Sequence, residues 1–179
     1  MRKHTRIKLA GIALLSSIGL ASAQQAAAPA SNPLDVIPEK MPFNIPYGAP
    51  ISLARAQAAI SAAIAEAEKH GWALNVAVVD SGGNLVAFVR MDGAQLASIA
   101  ISEHKARTAV TFRRQTKLFE DAIQHSDYKY ILTLDGVIAS RGGIPLVEDG
   151  KLIGAIGCSG AAGSQDEAAC KVGAATINK

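Results

Sequence analysis

Between Asn75 and Phe112 the chain reads NVAVVDSGGNLVAFVRMDGAQLASIAISEHKARTAVTF, and this stretch restricts the possible folds more than any other. Leu74 to Val79 and Leu85 to Met91 are β-rich runs joined by Asp80-Ser81-Gly82-Gly83-Asn84. Glycine there supplies the positive φ angles that a tight hairpin loop requires, so the two runs pair antiparallel. Asp92-Gly93 breaks the second run. Ala97 to Phe112 then returns to helical periodicity, with Glu103 and Arg107 spaced for an i,i+4 ion pair.

The flanking segments extend the pattern. Leu53, Ala56, Ile60, Ala63, Ile64 and Ala67 recur at helical spacing behind Ser52 as N-cap and before Gly71 as C-terminal stop. A short helix is expected over Thr116 to His125. Ile131 to Ala139 is apolar enough for a strand or an irregular buried connection. Ile144 to Val147 and Leu152 to Gly157 flank an Asp149-Gly150 turn, a strong hairpin signal. Ser164 with Glu167 reads as a capping box opening a last helix, Gln165 to Ile177. This order fits neither a doubly wound parallel sheet nor a helical bundle, but an α+β antiparallel sheet with helices packed on its faces.

Composition matters first at the N-terminus. Arg2, Lys3, Arg6 and Lys8 precede an apolar run from Leu9 to Leu20 and an Ala21-Ser22-Ala23 cleavage pattern, which reads as a signal peptide over residues 1–23. The run is short of the roughly 20 residues needed to span a bilayer, so no stable membrane insertion is expected after cleavage. Removing those four cations from 18 Lys+Arg, against 15 Asp+Glu, turns the formal net charge from +3 to −1. With so few aromatics besides, no nucleic acid partner is expected. Residues 24–50 carry a recurring proline and read as an extended arm. Residues 51–179 suit one domain. Export to a periplasmic or secreted location permits a Cys158–Cys170 disulfide; two buried small hydrophobes are the equal alternative.

Three histidines follow the signal segment. His104 shares a helix face with Ala97, Ala100, Ile101, Thr108 and Thr111, a strip of mostly small residues that a flat macrocycle can approach. An imidazole is a common donor to heme iron. The bland reading is a histidine in an exposed E-H-K-x-R patch. His70 and His125 end helices, where a cationic imidazole interacts with the helix dipole. Lys105, Arg107 and Arg141 can hold anionic groups by charge-assisted hydrogen bonds. Gly157 to Gly163 lies between a strand and a helix N-terminus and can cradle a carboxylate, although it lacks the P-loop ending and the dinucleotide fingerprint. No catalytic relay is identified.

The motifs VAVVDSGGNLVAFVRMDGA at Val76 to Ala94, KARTAVTF at Lys105 to Phe112, GGIPL at Gly142 to Leu146 and IGAIGCSGAAGSQDE at Ile153 to Glu167 resemble the GlcG/HbpS-like family of small heme-binding proteins. The resemblance spans Ser52 to Ile177. It implies a profilin-like domain, a five-stranded antiparallel sheet with helices on both faces, assembled into a homo-oligomer. It further implies heme as cofactor and a binding protein for heme capture, storage or sensing rather than an enzyme, in some members working with a sensor protein. Iron ligands vary among members of the family, histidine and threonine among them; in this chain the helix that carries His104 next to Thr108 and Thr111 is the expected site, with His104 as first-choice iron ligand and Lys105 or Arg107 near the propionates. The competing readings are a small-molecule enzyme or accessory domain, binding a small carboxylate or a corrinoid, and a protein-interaction module using the arm.

Overall fold

A computed structural model describes residues 36–178. The signal segment and the start of the arm lie outside those residues. Leu53–Lys69 forms α1, capped by the Ser52 side chain and ended at His70 and Gly71, the latter at φ +69°. Strands β1 (Asn75–Asp80) and β2 (Leu85–Arg90) form the expected hairpin. Asp80 closes it by accepting from the backbone N–H groups of Gly82 (2.8 Å) and Asn84 (3.0 Å). Next come α2 (Ala97–Thr111), α3 (Lys117–Ser126) and a 3-10 turn over Lys129–Thr133. Strands β3 (Gly143–Glu148) and β4 (Lys151–Ser159) form the second hairpin, and α4 (Gly163–Ala175) ends the domain.

The sheet is antiparallel with order β2-β1-β4-β3, so the two hairpins join through β1 and β4. Helices α1 and α4 pack together on one face over Val76, Val78, Ile144 and Ile156. On the other face α2 lies across β1, β4 and β3. Two glycines permit its close approach: a Cβ on Gly157 would collide with the Ser102 carbonyl, and one on Gly143 with the Lys105 carbonyl.

The sheet has four strands, not the five that the resemblance implies. The Ile131 to Ala139 segment forms the 3-10 turn and then an irregular connection. Its backbone is satisfied by a side chain rather than a strand: Thr108 Oγ1 donates to the Gly136 carbonyl (2.9 Å) and accepts from the Ile138 N–H (3.1 Å). The outer edge of β3 is closed in the same manner. Asn178 accepts from the Val147 N–H and donates to the Pro145 carbonyl, and Thr116 accepts from the Gly143 N–H. Pro145, which has no N–H to offer a neighbour, suits this edge position.

The last helix also starts earlier than its expected capping box. Gln165 Oε1 accepts from the Ala162 N–H at 3.0 Å, while Glu167 turns to Arg141 and Lys171. Cys158 and Cys170 are joined as a disulfide between β4 and α4, and both are fully buried. No described helix is long and apolar enough to cross a membrane.

Candidate functional site

Helix α2 has two functional faces. Toward the sheet it buries Ser98, Ser102, Lys105, Ala106, Thr108, Ala109 and Val110. On its outer side, Ala100, His104, Arg107, Thr111 and Phe112 line a cavity of about 630 Å³ whose opposite wall is Asp135 and Gly136. The structure thus brings together three of the expected residues, His104, Arg107 and Thr111. Arg107 makes the anticipated ion pair with Glu103 at 3.0 Å, and its guanidinium stays half exposed at the rim. Thr111 Oγ1 donates back to the Arg107 carbonyl at 2.8 Å.

Thr108 stands behind this wall, wholly buried, and its two hydrogen bonds hold the Asp135–Gly136 connection against α2. It shapes the cavity without lining it. Lys105 points the other way. Its ammonium, 1% exposed, is bound to Asp166 Oδ2 at 2.8 Å and to the Cys158 carbonyl at 3.1 Å, inside the protein. That amine is committed to the core and does not reach the cavity. Burial pushes the Asp166 carboxyl up, against the pull of Lys105 and of the backbone N–H groups of Ala161 and Gly160.

The remaining candidates have structural partners. His70 lies 3.2 Å from Glu66 and stacks on Trp72, with ring centroids 4.4 Å apart. His125 is mostly exposed, 3.9 Å from Asp121. Arg141 is enclosed by carboxylates: its backbone N–H and its Nε each meet Glu120 at 2.7 Å, and Glu167 lies 3.6 Å away. In the glycine-rich loop, side chains of the chain's own last helix already occupy the N–H groups of Ala161 and Ala162. Asp166 Oδ1 accepts from the Ala161 N–H at 3.0 Å, and Gln165 accepts from that of Ala162.

Sequence reasoning did not find Asp135, Gly136 or Phe112 as cavity residues. The only local signal was the Asp-Gly pair inside an apolar segment, and nothing in it tells which helix the turn will face.

The cavity has room for a flat, mostly apolar group, and its charged lining residues are Arg107, which is paired with Glu103, and Asp135 on the facing wall. Ala100 and Gly136 leave room, Phe112 offers an aromatic edge, His104 supplies one imidazole and Arg107 one cation at the rim. Among the described residues no group of three His, Cys, Asp or Glu side chains is placed to hold a bare metal ion. A macrocycle that brings its own equatorial ligands asks the protein only for an axial donor. The fold and site therefore define a small α+β domain that presents a histidine-bearing cavity on the outer side of one sheet-packed helix.

The chain belongs to the HbpS-like family, whose description, "Haem degrading protein HbpS-like", matches residues 51–175. It is 40% identical to the protein GlcG of Escherichia coli strain K12 over 109 residues, 61% of this chain and 81% of GlcG. Among solved structures it is similar to a double mutant of HbpS from Streptomyces reticuli, with TM-score 0.65 and 31% identity, covering 87% of this chain and all of that one. It is equally similar to the complex of PduOC with heme, at TM-score 0.66 and 31% identity, covering 72% of this chain and 96% of the other. These likenesses agree with the profilin-like reading.

Proposed function

We propose that this protein binds heme in the cavity on the outer side of α2, with His104 as the axial ligand and Arg107 beside the propionates. The observation that carries the reading is the placement of the His104 imidazole in a largely apolar cavity with one cation at its rim, on a chain whose structural relative PduOC was crystallised with heme. Bound heme supplies the iron and its redox chemistry. The protein would supply the His104 imidazole as a donor to the iron, the Arg107 guanidinium as an anion partner and a largely apolar wall against the macrocycle.

The role is heme capture, storage or sensing outside the cytoplasm, the last through a partner sensor protein. The signal pattern at Met1 to Ala23 supports export, and so does the buried Cys158–Cys170 disulfide, since such bonds persist in oxidising compartments. Assembly into a homo-oligomer belongs to the same reading, as the family resemblance implies.

The test is a hemin titration followed in the Soret region, with His104→Ala, His70→Ala and His125→Ala in parallel. Saturable binding lost only in the His104 variant is expected. Binding no stronger than that of an unrelated protein would reject the reading. Loss of the Soret band over time in the presence of a reductant and dioxygen would identify turnover of the bound heme.

A further inference from the structure

We infer that the end of the proline-rich arm is a strap that positions the wall of the His104 cavity, with Tyr47 and Phe43 as its two positioning residues. The inference rests on the heme reading for its ligand, and on the contacts of the arm for its geometry.

Three features of the arm converge on the last turn of α2. Tyr47 Oη shares its one proton between the carbonyls of Thr111 (3.0 Å), which lies past the last donor of the helix, and Val110 (3.2 Å), which also accepts from the Arg113 N–H (3.3 Å). The Arg113 side chain donates to the Ile45 carbonyl at 3.3 Å. The Arg114 guanidinium lies 3.7 Å from the centroid of the Phe43 ring. The arm is fixed at its other side by backbone bonds to the start of β4, from Leu152 N–H to the Pro46 carbonyl (2.8 Å) and from Gly48 N–H to the Leu152 carbonyl (2.7 Å). It therefore ties a rigid strand to the helix terminus.

Both ties reach the cavity. Thr111, whose carbonyl Tyr47 caps, is a lining residue. From Phe43 the contact runs through Arg114, which also lies 5.2 Å from the Phe119 ring, and Phe119 meets Phe112 edge to face at 5.3 Å. Phe112 is the aromatic wall of the cavity. Guanidinium stacking and edge-to-face aromatic pairs are orientation-dependent, so moving Phe43 changes where the Phe112 ring rests.

The experiment compares the full chain with Tyr47→Phe, Phe43→Ala and Phe43→Tyr, reading amide hydrogen exchange without ligand and then hemin affinity and Soret maximum. In Tyr47→Phe and Phe43→Ala, the amides of Phe112 to Arg114 should exchange about tenfold faster as the helix end opens locally, while those of β1 and β4 keep their protection. Hemin should bind several-fold more weakly, with a displaced Soret maximum, and Phe43→Tyr, which keeps the ring, should restore both. Unchanged exchange at the helix end would overturn the strap. Faster exchange with hemin affinity and spectrum unaltered would overturn its link to the site and leave the heme reading standing. A parent chain that binds no hemin would reject the heme reading, and the exchange comparison would still decide whether the arm holds the wall.

Discussion

Lys105 and Asp166, 61 residues apart, form an ion pair of 2.8 Å in which the two side chains are only 1% and 3% exposed. The pair ties α2 to α4 across β4, and the lysine also holds the Cys158 carbonyl. It is a fastener behind the cavity.

Removing one partner leaves the other charge buried and alone, which costs about 3–5 kcal/mol. Asp166→Leu or Lys105→Met should therefore lower the urea midpoint sharply. The double variant should recover most of the loss but not all, because the Ala161 N–H loses its acceptor as well. A double variant no more stable than the worse single one would contradict this account.

Thr108→Val keeps the shape of the side chain and removes both of its hydrogen bonds to the Gly136–Ile138 connection. Leaving two inward-facing backbone groups unpaired should cost about 1–3 kcal/mol. Exchange of the Ile138 amide should rise, hemin affinity should fall with it, and Thr108→Ser should behave as the parent.

Burial alone would raise the Glu120 carboxyl, but the Arg141 side chain and backbone N–H override it and hold Glu120 below its ordinary value of 4.5. A carboxylate depressed in the folded state adds stability that is fully present above its unfolded value and is lost as pH falls through the folded one. Melting temperature should therefore decline below about pH 4.5, as the usual carboxylate range is entered. Arg141→Met should flatten that decline. An equally steep acid limb in the variant would remove Glu120 as its source.

The disulfide closes a short loop, with its cysteines 12 residues apart. Chain-entropy reasoning gives about 3 kcal/mol for a loop of this order. Cys158→Ala with Cys170→Ala should lose roughly 2–4 kcal/mol in chemical denaturation and become insensitive to dithiothreitol. Parent protein that shows no shift under reductant in the unfolding transition would argue against the bridge.

Much of the architecture is legible in local chemistry. The helical spacing from Leu53 to Ala67, the Asp80 to Asn84 loop and the Asp149-Gly150 turn each specify their element through backbone freedom and periodicity alone, and each element forms within a residue or two of its expectation. The Glu103–Arg107 pair forms for the same reason, since helix geometry places such residues side by side. His104 is likewise placed on the outer helix face by its spacing from Ala97 and Ala100.

What spacing cannot convey is which distant groups meet. Ser98, Ser102, Lys105 and Ala109 lie on one face of α2 at helical intervals, but the charge of Lys105 suggested a solvated or ligand-facing side chain until Asp166 came to it from α4. Asp135 and Gly136 lack any period, and the hydrogen bonds of Thr108 alone assign them to the cavity wall. The arm looked extended because proline withholds donors, and its use as a strap depends on carbonyls that α2 exposes only once that helix has ended. The sequence by itself determined the elements, their order and the helix that bears the candidate ligand, because those depend on interactions within a few residues. Only the tertiary structure decided the strand count, the commitment of Lys105 and the second wall of the cavity, because these depend on burial and on partners that the chain brings together from far apart.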